Sequence, residues 1–211
     1  MVHKLDLATW KRRPHFKLYQ QMAHPFFNVC AEVDVTRLWD QCRRDRRISF
    51  TLASLYLGSR AANAVEALRL RVRGDEVWMH DLVHFSTTVL RPDSTFAFAR
   101  TEHRDTFRQF DDEGREVIER ARTSTGLEIP EKDDDAIYHS ILPWIRFTAF
   151  SNPINGRDDC FPRIVYGKVG PTGDRWMMPV GVEVHHALVD GYDVGKFFEH
   201  FQQELTAGIT D

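Results

Sequence analysis

The stretch Val180 to Gly191, Val-Gly-Val-Glu-Val-His-His-Ala-Leu-Val-Asp-Gly, constrains the fold of this chain more than any other. Side chains alternate faces along a strand. Val180, Val182 and Val184 therefore share one face, with His186 next on it, while Gly181, Glu183 and His185 point the other way. The chain then turns at Asp190-Gly191 and changes period. Val194, Phe197, Phe198, Phe201 and Leu205 recur at helical spacing in a helix from about Tyr192 to Ala207. Its continuous apolar face must pack on something, and the strand beside it offers a surface.

The rest of the chain extends this pattern. Pro14 suits the first turn of a short helix through Gln21. Phe26–Asp34, Ile137–Phe150, Pro162–Val169 and Arg175–His186 read as strands, and Val35–Arg44 and Phe50–Val65 as helices. Gly74-Asp75 and Arg91-Pro92-Asp93-Ser94 each sit between strand-like runs and mark hairpins. Asp105 is placed to cap a helix that runs to about Thr125 and stops at Gly126. Strands interrupted by separate helices predict an α/β, two-layer α+β sandwich, with helices on one face of a mixed β-sheet. With 211 residues, one domain over 1–211 is expected, large enough to enclose an active site.

Composition narrows the functional classes. Lys and Arg total 28 against 31 Asp and Glu, a net charge of −3, which argues against a general nucleic-acid binder. The basic run Arg43–Arg47 is broken by Asp45 and reads as a solvated loop, and the acidic run Glu131–Asp135 as an exposed one. No stretch approaches the roughly 20 apolar residues that span a bilayer, and the N-terminus has no signal-peptide core. The three cysteines, Cys30, Cys42 and Cys160, are far apart and form no CxxC pair. A reducing, cytoplasmic setting is expected. No phosphate-binding glycine motif and no GxSxG elbow is present.

Among the titratable residues, His186 stands out. At the apolar end of a strand its imidazole is desolvated, stays neutral near neutral pH, and can act as a general base on a hydroxyl. A histidine on an apolar face is ordinarily a hydrogen-bonded core residue, and His185 is the better candidate for that role. Asp190 taken alone is an N-cap. A metal site built from His185, His186 and Asp190 lacks a clear further ligand, so no metal is expected.

His185-His186-Ala187-Leu188-Val189-Asp190-Gly191 fits the HHxxxDG signature of coenzyme A-dependent acyltransferases. Trp10 to Phe16 with Tyr19, Leu142-Pro143-Trp144, the Phe147–Phe150 segment and Gly173-Asp174-Arg175 all resemble the chloramphenicol acetyltransferase family. The resemblance covers nearly the full length. It implies the coenzyme A-dependent acyltransferase fold and an acetyl-CoA-dependent O-acetyltransferase acting on chloramphenicol or a related hydroxylated apolar acceptor. His186 would be the general base, and the activated hydroxyl would attack the thioester directly. Asp190 would be structural and pair with Arg12. Tyr19, Phe27 and Phe96 would line the acceptor pocket, and active sites would lie between the subunits of a homotrimer. The basic run would then border the coenzyme A channel.

Two positions depart from the family pattern. A family serine whose hydroxyl stabilises the oxyanion aligns with Ala149, and a threonine acting through water aligns with Val165. Thr148 and Ser151 are the neighbouring candidate donors; in a regular strand Ser151 shares a face with Ala149 while Thr148 points away. The loss of these hydroxyls leaves open a catalytically weak or non-catalytic ligand-binding homologue. A dihydrolipoyl-type acyltransferase core is a further alternative, though no lipoyl domain or flexible linker accompanies it here.

Overall fold

The computed structural model describes residues 1–127 and 134–210. In chain order the elements are β1 (Val2–Lys4), α1 (Arg13–Tyr19), β2 (Phe26–Asp34), α2 (Thr36–Arg44), α3 (Phe50–Asn63), β3 (Leu70–Arg73), β4 (Glu76–His80), β5 (His84–Leu90) and β6 (Phe96–Thr101). They continue with α4 (Phe107–Thr123), β7 (Ala136–Ile141), β8 (Arg163–Tyr166), β9 (Gly170–Thr172), β10 (Arg175–His185) and α5 (Gly191–Ala207). The main sheet has the order β2-β10-β8-β7-β5-β6, with β9 beside β10, and a small sheet has the order β1-β4-β3. The main sheet is mixed: β7 runs parallel to both β5 and β8, and the other pairs are antiparallel.

Period-2 patterning sets the register. Val180, Val182 and Val184 are buried on the face that meets the helices, together with Ile137, Ile164 and Phe85. Phe197 and Phe201 of α5 and Phe110 of α4 reach the same layer, where Phe201 meets Tyr166 and Phe110 meets Phe85. The opposite face, at β10, is covered by the segment 142–162. Phe147 and Phe150 lie over Gly181, and Asn152 donates to Glu183 from its backbone N–H (2.8 Å) and its side-chain amide (2.7 Å).

Several expectations change. The strand expected through Phe150 ends at Ile141: Leu142 N–H still bonds Tyr166 O, but Pro143 has no N–H to extend the ladder, and Ile145 N–H turns back to Leu142 O. Alternating apolar residues at Ile145, Phe147 and Ala149 mimic a strand, but they belong to a covering segment without strand pairing. The comparison of faces between Ser151 and Ala149 therefore does not apply. Thr106, rather than Asp105, caps α4, its hydroxyl accepting from Gln109 N–H. Of the acidic run, residues 131–133 lie outside the described residues. Asp134 and Asp135 are ion partners rather than free loop residues, Asp134 to Arg73 and His80 and Asp135 to Arg100. Arg71 is fully buried and donates to the carbonyls of Leu68, Leu70, Asp134 and Ala136, joining the small sheet to the start of β7. No helix among the described residues is long and apolar enough to cross a membrane.

Candidate active site

β10 delivers the histidine pair and α5 begins directly after it. His185 ends the strand, and its backbone carbonyl accepts from Leu188 and Val189 N–H, closing a tight turn. His186 N–H bonds the carbonyl of Pro25 (2.7 Å), which ties the turn to the segment before β2. The full burial expected at His186 falls on His185 instead, which is 3% exposed; His186 lies one residue past the strand and is half-buried. Burial holds the pKa of His185 below its ordinary value.

The two imidazoles have distinct hydrogen-bond roles. His186 Nδ1 lies 3.1 Å from Val189 O. A carbonyl only accepts, so Nδ1 carries a proton, and of the two neutral tautomers this contact selects the one whose lone pair is on Nε2. Tyr19 stacks on this ring with centroids 4.1 Å apart at 14°, and Phe27 flanks it at 4.5 Å and 48°. With that tautomer the ring lies between two aromatic side chains and presents Nε2, which can take a proton from a hydroxyl.

Asp190 is the N-cap of α5, and its Oδ1 accepts from Tyr192 N–H (3.0 Å) and Asp193 N–H (3.3 Å). Asp193 returns a bond by accepting Asp190 N–H, forming a capping box. Arg12, 178 residues away in the chain, pairs with Asp190 Oδ2 and also donates to His186 O at 3.3 Å. Burial opposes ionisation of Asp190, but the Arg12 hydrogen bond and the helix-start N–H groups prevail and hold its pKa below the ordinary value. Burial pushes Asp193 the other way. One guanidinium thus fastens the N-terminal segment to both ends of the histidine turn.

The remaining candidates are not brought to His186. Phe96 lies on the far edge strand, four strand spacings from β10, roughly 19 Å. It is 46% exposed on the helix-free face, in ring contact with Phe98. Thr148, Ala149 and Ser151 are exposed in the covering segment. Val165 is paired in register with Ser140 of β7, not with Ala149. The hydroxyl that stands beside Val165 in the sheet is that of Ser140. Aligning forward from Leu142-Pro143-Trp144 misses this hydroxyl because it lies just before that element. Ser140 is two strand spacings from β10 and about five residues below His186, roughly 19 Å from it within one chain.

A cavity of about 260 Å³ opens beside the end of β7 between α2, α3 and β8, with Ile141, Pro143 and Lys168 in its wall. Two buried polar atoms there, Ser54 Oγ and Trp39 Nε1, have no hydrogen-bond partner. A neighbouring cavity of about 610 Å³ shares Ile141 and Pro143 and carries Arg115 and Arg122. Unsatisfied polar atoms in a mostly apolar wall fit an extended amphipathic ligand, and the nearby Arg115 and Arg122 are paired with Asp111 and Glu119. Among the described residues, no group of three or more His, Cys, Asp and Glu is placed to hold a metal ion.

Comparison with known proteins gives the chain's family and fold. The family model for chloramphenicol acetyltransferase matches residues 1–202. Chloramphenicol acetyltransferase 3 from Escherichia coli is 30% identical over 204 residues, covering 95% of each chain. A chloramphenicol acetyltransferase from Streptomyces acrimycini is 31% identical over 207 residues, covering 95% of this chain and 93% of its own. Among solved structures, a chloramphenicol acetyltransferase superposes with a TM-score of 0.87 at 22% identity, covering 96% of this chain and 99% of the other. A probable dihydrolipoamide acetyltransferase from Listeria monocytogenes shares the fold with a TM-score of 0.73 at 15% identity.

Proposed function

The chain belongs to the chloramphenicol acetyltransferase family and is an acetyltransferase, and we propose that it moves an acetyl group from acetyl-CoA to the hydroxyl of an apolar acceptor, chloramphenicol or a related compound, with His186 as the general base. The observation that carries this reading is the hydrogen bond from His186 Nδ1 to Val189 O, which leaves Nε2 free between Tyr19 and Phe27. Acetyl-CoA supplies an electrophilic thioester carbonyl. Nε2 takes the acceptor's hydroxyl proton as that oxygen attacks, and later returns a proton to the departing thiolate. Tyr19 and Phe27 exclude water from the imidazole and present an apolar wall to the acceptor. Arg12 and Asp190 hold the turn, so a direct proton-transfer role is not assigned to either.

An oxyanion donor must stand about 3 Å from the reacting carbonyl oxygen. Ser140 fills this role in our reading, in place of Thr148 or Ser151. Its distance from His186 within one chain supports a site shared between copies, with His186, Tyr19 and Phe27 from one subunit and Ser140 and Phe96 from the next. Ser140 and Phe96 lie on the same helix-free face, near the exposed side chains of Leu90 (51%), Trp144 (61%) and Ile145 (55%). A cluster of exposed apolar residues favours association, and the homotrimer of the family fits it. The cavities beside β7 are the candidate path for the coenzyme A arm.

Thiol release from acetyl-CoA, measured across a panel of alcohols that includes chloramphenicol, tests the assignment. His186→Ala is expected to reduce turnover to background on every acceptor while leaving the oligomer intact. A His186→Ala enzyme with undiminished rate would remove His186 as the base.

A further inference from the structure

His185 makes two hydrogen bonds that determine each other. Its Nε2 lies 2.9 Å from the carbonyl of Arg157, so Nε2 carries the proton and donates. That leaves Nδ1 as an acceptor, and it takes the N–H of Ala187 at 3.2 Å. Ala187 is the residue directly after His186, and Arg157 belongs to the segment that covers the sheet. The ring is 3% exposed and packs edge-on against Phe26, with centroids 5.0 Å apart at 81°. Glu183, two residues earlier on the same face of β10, anchors that covering segment through Asn152.

We propose that His185 is a positioning residue for the acetyl transfer: its imidazole clamps Ala187 N–H against the Arg157 carbonyl and so fixes the turn in which His186 presents Nε2. This rests on His186 being the base. Two features support it. The two bonds are complementary, so a single neutral tautomer satisfies both. The Ala187 N–H also sits on the peptide that follows His186, so rotation of that peptide swings the base. Burial holds the His185 pKa below its ordinary value, which keeps this neutral tautomer populated under mildly acidic conditions.

Amide side chains separate the two contacts. The Oδ1 of Asn occupies nearly the place of His Nδ1, and the Nε2 of Gln nearly that of His Nε2. His185→Asn keeps an acceptor for Ala187 N–H, whereas His185→Gln keeps a donor for Arg157 and loses that acceptor. A misplacement of about 1 Å in a catalytic group costs up to roughly 100-fold in rate. His185→Gln is therefore expected to lower kcat by about 10- to 100-fold with KM for acetyl-CoA and acceptor within about 2-fold. His185→Asn should retain kcat within about 3-fold, although its thermal midpoint drops by as much as or more than that of Gln. The proposal is overturned if the two variants lose kcat equally, if neither loses it, or if the loss follows thermal midpoint rather than the Ala187 acceptor. His186→Ala, assayed alongside, separates the two readings: activity surviving that change refutes the base itself, whereas an inactive His186→Ala with equal His185 variants refutes only the clamp.

Discussion

Gly58→Ala should be far more damaging than a glycine-to-alanine change inside a helix ordinarily is, and Tyr166→Phe should repair it. In α3 this exchange normally gains about 1 kcal/mol through helix propensity. Here a Cβ at position 58 would stand 2.1 Å from the hydroxyl of Tyr166 and 3.2 Å from the ring carbon that bears it. Contact distance is about 3.5 Å, so the hydroxyl must retreat by more than about 1 Å. Tyr166 is 2% exposed and cannot swing into solvent. Any retreat breaks its 3.0 Å bond to His139 Nδ1, and His139 is 1% exposed with Nε2 already unpartnered. Overpacking costs about 1–3 kcal/mol and an orphaned buried polar group about 1–3 kcal/mol. Set against the helix gain, Gly58→Ala loses about 1–5 kcal/mol. Tyr166→Phe alone orphans His139 and loses about 1–3 kcal/mol. In the Gly58→Ala background, however, it removes the atom in collision, and its sign reverses. Urea midpoints of the four proteins, measured at one protein concentration, complete the cycle. Equal lowering by Tyr166→Phe in both backgrounds would refute the contact.

Other outcomes follow from the same structure. Burial lowers the pKa of His139 to about 3. The unfolded chain then binds a proton near its ordinary value that the folded chain refuses, so stability rises with pH from about 3 to about 6.5, by up to about 1.4 kcal/mol per pH unit. His139→Leu should flatten that slope by one proton in urea unfolding between pH 4 and 6; an unchanged slope would assign it elsewhere. Asp190→Asn keeps the helix cap and loses the partly exposed Arg12 pair, at less than about 1 kcal/mol. Asp190→Ala loses the cap as well, about 1 kcal/mol more, readable as a second step in thermal midpoint. Ser140→Ala should lower kcat by about 10²–10³-fold. If sites are shared, co-expressing inactive Ser140→Ala and His186→Ala chains should restore part of the activity in mixed oligomers, and no restoration would place both groups in one chain.

The parts of the site legible in the sequence are those where one period dominates. Val180, Val182 and Val184 alternate onto the helix-facing side of β10, and the apolar stripe from Val194 to Leu205 is the buried side of α5. Asp190 announces its cap by its position before the helix. Other features depend on partners distant in sequence. Nothing near Arg71 signals that carbonyls from β7 will enclose its guanidinium. Phe147 and Phe150 look like strand residues because covering a sheet also needs apolar side chains. Tyr19 reads as a pocket aromatic, yet its stacking on His186 appears once α1 is docked. Phe96 stands far from His186 because sheet order, not sequence spacing, sets that distance.

The pairing of Arg12 with Asp190 also dictates when the site can come into being during synthesis. Within the main sheet β2 pairs with β10, Phe26 opposite His185. At about 5–20 residues per second, the N-terminal segment waits on the order of 10–35 s after translation before its partner residues are made. Throughout that interval Phe26 to Asp34 is a strand without a neighbour, and Tyr19 and Phe27 lack the imidazole they enclose. The site of this enzyme thus cannot form until Asp190 has been synthesised, and a stalled or slowly translated message leaves the β2 segment without its partner strand.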